Sequence, residues 1–280
     1  MVGQFKRAAA SLHGRLLIGA ALLTVLAGCG TEIYEQRLQA TQRLYEHIQL
    51  LDDNLSREWS NGVLSIRMPS QFVEIPPPAA PAPPDPNNPT TEPPAATPDL
   101  RKPDYAPLEL NGLKAAFKAD LRLDGGSSKP GYIYVISNHD FPNREAAKDL
   151  KQQLAQELSS AFKVPIEKWE EEQYPIKTSD MFPSVHYHAT TITPTEDIGG
   201  FPRRVTVLFH QNGEVHTFIV LVLPQKIDKS SERINDRVPL TLETLLVSSD
   251  QIQVPGQPAP ADAGPSGTPA ASGPAPSKGF

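Results

Sequence analysis

The residues best suited to chemistry in this chain are His186 and His188, which flank Tyr187. On an extended strand, side chains at i and i+2 share a face, so both imidazoles can reach one metal ion. A metal site needs at least a third ligand. His210 and His216 are the available donors, but the hairpin expected around Asn212-Gly213 puts them on opposite faces, so both cannot join. The alternative is a pair of edge-strand histidines facing water, and no metal ligand is assigned. Glu170, Glu171 and Glu172 are consecutive, which suits a solvated acidic edge better than an acid/base pair. Arg203 and Arg204 beside Phe201 can bind an anion or simply border a strand. The chain contains no Gly-x-Ser-x-Gly elbow, no phosphate-cradling GxxxxGK[ST] and no dinucleotide GxGxxG. No catalytic or cofactor-binding residue emerges, although a dispersed hydrolase site is defined by geometry rather than spacing.

The remaining reactive group is Cys29, the single cysteine of 280 residues. Lys6, Arg7 and Arg15 form a basic start, and Leu16 to Ala27 form an apolar run of about a dozen residues, the length of a signal-peptide core. A bilayer-spanning helix needs roughly 20 apolar residues. The run Leu26-Ala27-Gly28-Cys29 resembles the lipobox of a bacterial lipoprotein signal peptide. That resemblance implies cleavage after residue 28, a diacylglycerol thioether on Cys29, and usually an N-acyl chain. Each buried CH2 contributes about 0.8 kcal/mol, so two or three chains anchor stably where one does not. Gly30 in place of Asp after the cysteine implies the outer membrane, on its periplasmic side.

Without residues 1–28, which hold three cations and no acids, 23 Lys+Arg face 32 Asp+Glu, a net of −9. That charge argues against nucleic acid or an anionic surface as partner. Export favours disulfides, yet no second cysteine exists, so the domain must rest on its core.

Residues 29–60 read as a membrane-proximal amphipathic helix. Leu38, Thr41, Leu44 or Tyr45, Ile48, Leu51 and Leu55 recur at spacings of three and four, opposite Glu35, Gln39, Gln42, Glu46 and Asp53. The helix either packs on its own domain or serves as a short coiled coil or partner-binding element. Residues 61–75 supply a first strand. Residues 76–107 form a Pro/Ala/Asn/Thr block, unable to bury enough apolar surface to order itself. It is either an inserted loop or a stalk, and about 30 residues of polyproline II reach on the order of 100 Å.

Residues 108–250 read as the globular unit, and residues 251–280 as a disordered Pro/Ala/Gly tail. Within the unit, Leu110 to Leu123 is ambiguous, Tyr132 to Ser137 is a strand, and Pro142 to Phe162 is a helix with Ala147, Leu150, Leu154, Leu158 and Ala161 as its stripe. Strands are expected at Ile166 to Tyr174 and Val185 to Ile192. Arg203 to Leu223 is a hairpin turning at Asn212-Gly213, which pairs Gln211 with Glu214 and Phe209 with His216. Both of its faces are apolar, so layers must cover the sheet above and below. Pro239 can open a final helix with Leu242, Leu245 and Leu246 inward.

The fold expected is α+β: a single sheet with helices on both faces. The order of elements, a strand ending at Met68-Pro69 before Phe72, a strand leading into Phe141-Pro142 and a helix, a meander ending in Leu221-Val222-Leu223-Pro224 and a closing helix, resembles the PsbP-like α/β/α family. It is also similar to proline-rich lipoproteins of planctomycete-type bacteria. The resemblance implies an accessory or assembly role without catalytic residues and with a protein partner in the envelope. The competing expectations are a ligand- or metal-binding envelope protein using His186 and His188, and a hydrolase.

Overall fold

A computed structural model describes residues 32–79, 98–177 and 182–252. The expected signal peptide at 1–28, Cys29 with its expected lipid, most of the first Pro-rich block and nearly all of the C-terminal tail lie outside the described residues.

The chain is α+β. Helix α1 spans 32–54 and runs directly into β1 (Leu55–Ser60), with β2 (Leu64–Pro69) and β3 (Val73–Ile75) following. The helix therefore stops short of the expected residue 60. Asn54 turns its amide back onto the Leu50 carbonyl at 2.8 Å, while its own carbonyl accepts from Ser70 N at 3.0 Å. Residues 55–60 gain more from the β2 ladder than from another helical turn, because Leu55 is buried against the domain instead of continuing the helical stripe. In the hairpin that follows, the Asn61 side-chain oxygen accepts from Val63 N and Leu64 N.

Next come β4 (Leu113–Arg122), β5 (Ser128–Ser137), α2 (Arg144–Lys148), α3 (Leu150–Phe162), β6 (Glu170–Tyr174), β7 (Val185–Ile192), β8 (Arg203–Asn212) and β9 (Val215–Pro224). Two short helices, α4 (Lys229–Glu232) and α5 (Ile234–Glu243), lead to β10 (Leu246–Val247). A seven-stranded antiparallel sheet runs β3-β4-β5-β9-β8-β7-β6, and a second sheet runs β1-β2-β10. The single sheet expected from sequence is thus two, because residues 55–60 are strand and pair with β2.

Successive side chains of β9 point to opposite faces, and each face has its own core. Phe218, Val220 and Val222 pack with Val205, Val207 and Phe209 beneath α3, whose Leu150, Leu154, Leu158 and Phe162 are buried. Ile219, Leu221 and Leu223 pack with Ile66, Met68 and Leu242 from the second sheet and α5. Covering layers on both faces were the expectation from the two-sided apolar hairpin, but one of them is mainly the small sheet.

The hairpin register differs from the expected one. Asn212 pairs with Val215 and Phe209 with Phe218, so the loop is Gly213-Glu214. Gly213 adopts φ 58°, the positive angle that a first loop residue of a II′ turn requires. Asn212 is thereby free to donate to the Val247 and Ser249 carbonyls at 3.1 and 3.4 Å, tying down the C-terminal segment. Each arm moves by one residue, so every side chain keeps its expected face.

The predicted helix over 142–162 is two helices. Asn143 caps the first, accepting from Glu145 N at 2.7 Å and Ala146 N at 3.0 Å, and Asp149 interrupts the run. Residues 166–169 are not strand. Pro239 lies inside α5 rather than opening it, and Leu246 is exposed because β10 is only two residues long.

β3 and β4 are paired antiparallel, so residues 76–112 connect two neighbouring strands of one sheet. Their last part folds onto the domain. Arg101 is held by Asp99 at 2.8 Å, and Tyr105 packs against the helix-covered core. Ile252 is buried, which carries the domain two residues past 250.

Candidate functional site

The most unusual surface of the described residues is α1. Ile33, Tyr34, Leu38, Tyr45 and Ile48 are 54, 68, 55, 67 and 41 % exposed. At 3.6 residues per turn each residue advances about 100°, so Ala40, His47, Leu51 and Asn54, the less exposed positions, fall within about 60° of one another. On the same wheel Tyr34, Leu38, Tyr45 and Ile48 centre about 135° away from that line. The apolar stripe thus faces out, and the helix meets its own domain along a different line. Thr41 lies within the stripe and turns its hydroxyl back to the Arg37 carbonyl at 2.9 Å, which satisfies that group inside the helix. The sequence reading left open whether the stripe was sealed by the domain; in the structure its Leu38, Leu44, Tyr45 and Ile48 are exposed, while Leu51 is half-buried and Leu55 buried.

The root of α1 is fixed. Arg67 pairs with Asp52 at 2.9 Å and donates to the Ser56 carbonyl at 2.9 Å. The His47 ring lies 4.2 Å from that of Phe182, with its Nε2 3.7 Å from a Glu243 carboxylate oxygen. Burial lowers the pKa of His47, favouring its neutral imidazole, and pushes that of Glu243 up to about 7, favouring its protonated carboxyl. Glu243 is the last residue of α5. Sequence gave no signal for this contact, because His47 and Glu243 lie almost 200 positions apart.

His186 and His188 occupy one face of β7 and are exposed, near the edge of the large sheet. His188 stacks on Phe209 at 6.0 Å, and His216 meets the same ring edge-on at 5.3 Å. Phe209 therefore stands between these two imidazoles. His210 lies on the opposite face against Tyr187 at 5.7 Å, its Nδ1 2.9 Å from the His186 carbonyl. Thus His210 and His216 lie on opposite faces, as the sequence indicated. Among the described residues no group of three His, Cys, Asp or Glu side chains is placed to hold one metal ion.

Glu170, Glu171 and Glu172 sit on edge strand β6, where Glu172 accepts from the Tyr174 hydroxyl at 2.7 Å. Arg204 is exposed, but Arg203 is only 2 % exposed. Among the described residues no helix is long and apolar enough to cross a membrane. No family model matches the chain, and no curated protein matches it.

Proposed function

We propose that this protein is an envelope lipoprotein, held by lipid on Cys29 at the periplasmic side of the outer membrane, and that it acts without catalysis as an interaction or assembly factor. Its working surface is the outward stripe of α1, which begins within a few residues of the anchor. The observation that carries this reading is the exposure of Tyr34, Leu38, Tyr45 and Ile48 together on a helix whose other side is tied to the domain. Anchors at i, i+4, i+11 and i+14 suit a helix laid into an apolar groove of a partner protein. An exposed apolar stripe otherwise costs solubility without return. The likeness to the PsbP-like α/β/α family belongs to the same reading, since it implies an accessory protein rather than an enzyme.

Replacing Leu38 and Tyr45 together by Glu tests this reading. Each buried side chain of that size contributes about 1.5–3 kcal/mol, so the complex weakens by roughly a hundredfold or more. The melting temperature of the isolated chain is unchanged, because both side chains face water. The reading predicts that the cross-linked complex recovered from cells disappears in the double variant. Persistence of that complex would refute it. A complex made only of this chain assigns the groove to a second copy.

A further inference from the structure

At one end of the helix-covered face lies a cleft of about 420 Å³ lined by Asp104, Tyr105, Lys118, Lys129, Tyr132 and Arg203, among others. Small-molecule sites have volumes of this order. Arg203 is its deepest charge. The guanidinium lies 4.0 Å from the Phe201 ring centre, 4.4 Å from that of Tyr105 and 5.6 Å from that of Tyr132. Its Nε donates to the Ile198 carbonyl at 2.8 Å and its Nη1 to the Pro130 carbonyl at 3.1 Å. Among the described residues its Nη2 has no hydrogen-bond partner, and no carboxylate stands within ion-pair distance. A buried cation held only by carbonyls and ring faces remains uncompensated in charge, and burial accordingly lowers its pKa.

The walls add to the same sign. Lys129 Nζ stands 5.3 Å over the Phe201 ring, and Lys118 Nζ 6.0 Å over that of Tyr132. Three cations thus line the cleft against one carboxylate, Asp104, in a chain whose net charge is −6. The loop is shaped to fit. Gly199 has φ 64°, and a Cβ there would lie 3.0 Å from Tyr105 Cβ and 3.3 Å from Arg203 Nη2. A side chain at 199 would be strained at this φ and would crowd both the guanidinium and the tyrosine.

We propose that this cleft binds a small soluble oxyanion, a phosphate or carboxylate group, with the unpaired Nη2 of Arg203 and the Lys118 and Lys129 ammonium groups as its donors. A guanidinium held flat between rings, with Nε and Nη1 tied to carbonyls, offers Nη2 as one pre-oriented charged donor to such an anion. The site is independent of α1 and of the docking role proposed for it.

The test is calorimetric titration of the full chain with inorganic phosphate and, separately, with citrate at low ionic strength, where surface charges are least screened. Saturable binding to at least one of them is expected. The pair K118Q/K129Q removes two charge-assisted bonds without touching the core, and should weaken that affinity about tenfold or more at unchanged melting temperature. Lys148→Gln, on α2, leaves the affinity as it is. Absence of saturable binding to either anion, or an affinity indifferent to K118Q/K129Q, would overturn the proposal.

Discussion

Replacing Asn138 by Leu destabilises the protein by about 2–4 kcal/mol, since one buried and two part-buried backbone groups lose their partner, at roughly 1–2 kcal/mol for the buried one and less for each of the others. Asn138 is fully buried. Its side-chain oxygen accepts from His216 N at 2.8 Å, and its amide donates to the Ala147 carbonyl at 3.0 Å and the Glu214 carbonyl at 3.1 Å. One side chain thereby joins the end of β5, the start of β9 and the end of α2. Leu matches its size but offers neither donor nor acceptor. Denaturant unfolding checks this, with a lowered midpoint and an unchanged slope. A loss below about 1 kcal/mol would mean that water or a local shift satisfies the three groups. Against a typical total of 5–15 kcal/mol, the expected loss leaves a small margin.

The largest effect on location comes from Cys29→Ala. If the thiol carries the anchor, as the lipobox resemblance implies, this one substitution removes every acyl chain at once. No described helix can replace them as a span. Expressed behind a signal peptide whose cleavage does not need the cysteine, the variant then moves from the membrane pellet to the soluble fraction of the envelope. Variant protein that still sediments with membranes after a high-salt wash would show that something other than lipid on Cys29 holds it there.

What could be read in the sequence depended on how local its physics was. The faces of the β8–β9 hairpin followed from alternation alone, and a shift of one residue on each arm left them intact. The stripe of α3 followed from spacings of three and four. The turn itself was not readable, because whether Asn212 or Gly213 opens the loop depends on the C-terminal segment that Asn212 binds. The second sheet was missed for a similar reason. Residues 55–60 carry a helical pattern, and only the long-range partner β2 turns them into strand. Asn138 reads as a strand end; its value lies in partners 9, 76 and 78 residues away. Arg203 reads, with Arg204 beside Phe201, as an anion binder or the border of a strand, and only the fold reveals the rings of Tyr105 and Phe201 enclosing it. The stripe on α1 was legible as a pattern, but its exposure was not, since exposure depends on which side the root of the helix presents to the domain.

That exposure is the centre of the account, and a photo-crosslinking amino acid placed in turn at each position from 33 to 50, in cells, tests it most directly. Yield should rise and fall with the helical period, highest at Tyr34, Leu38, Tyr45 and Ile48 and lowest at Gln36, Arg43 and Leu50, which lie opposite them at 100° per residue. A flat profile, or one with maxima on the Ala40 and His47 side, would contradict the assignment of this stripe as the docking surface.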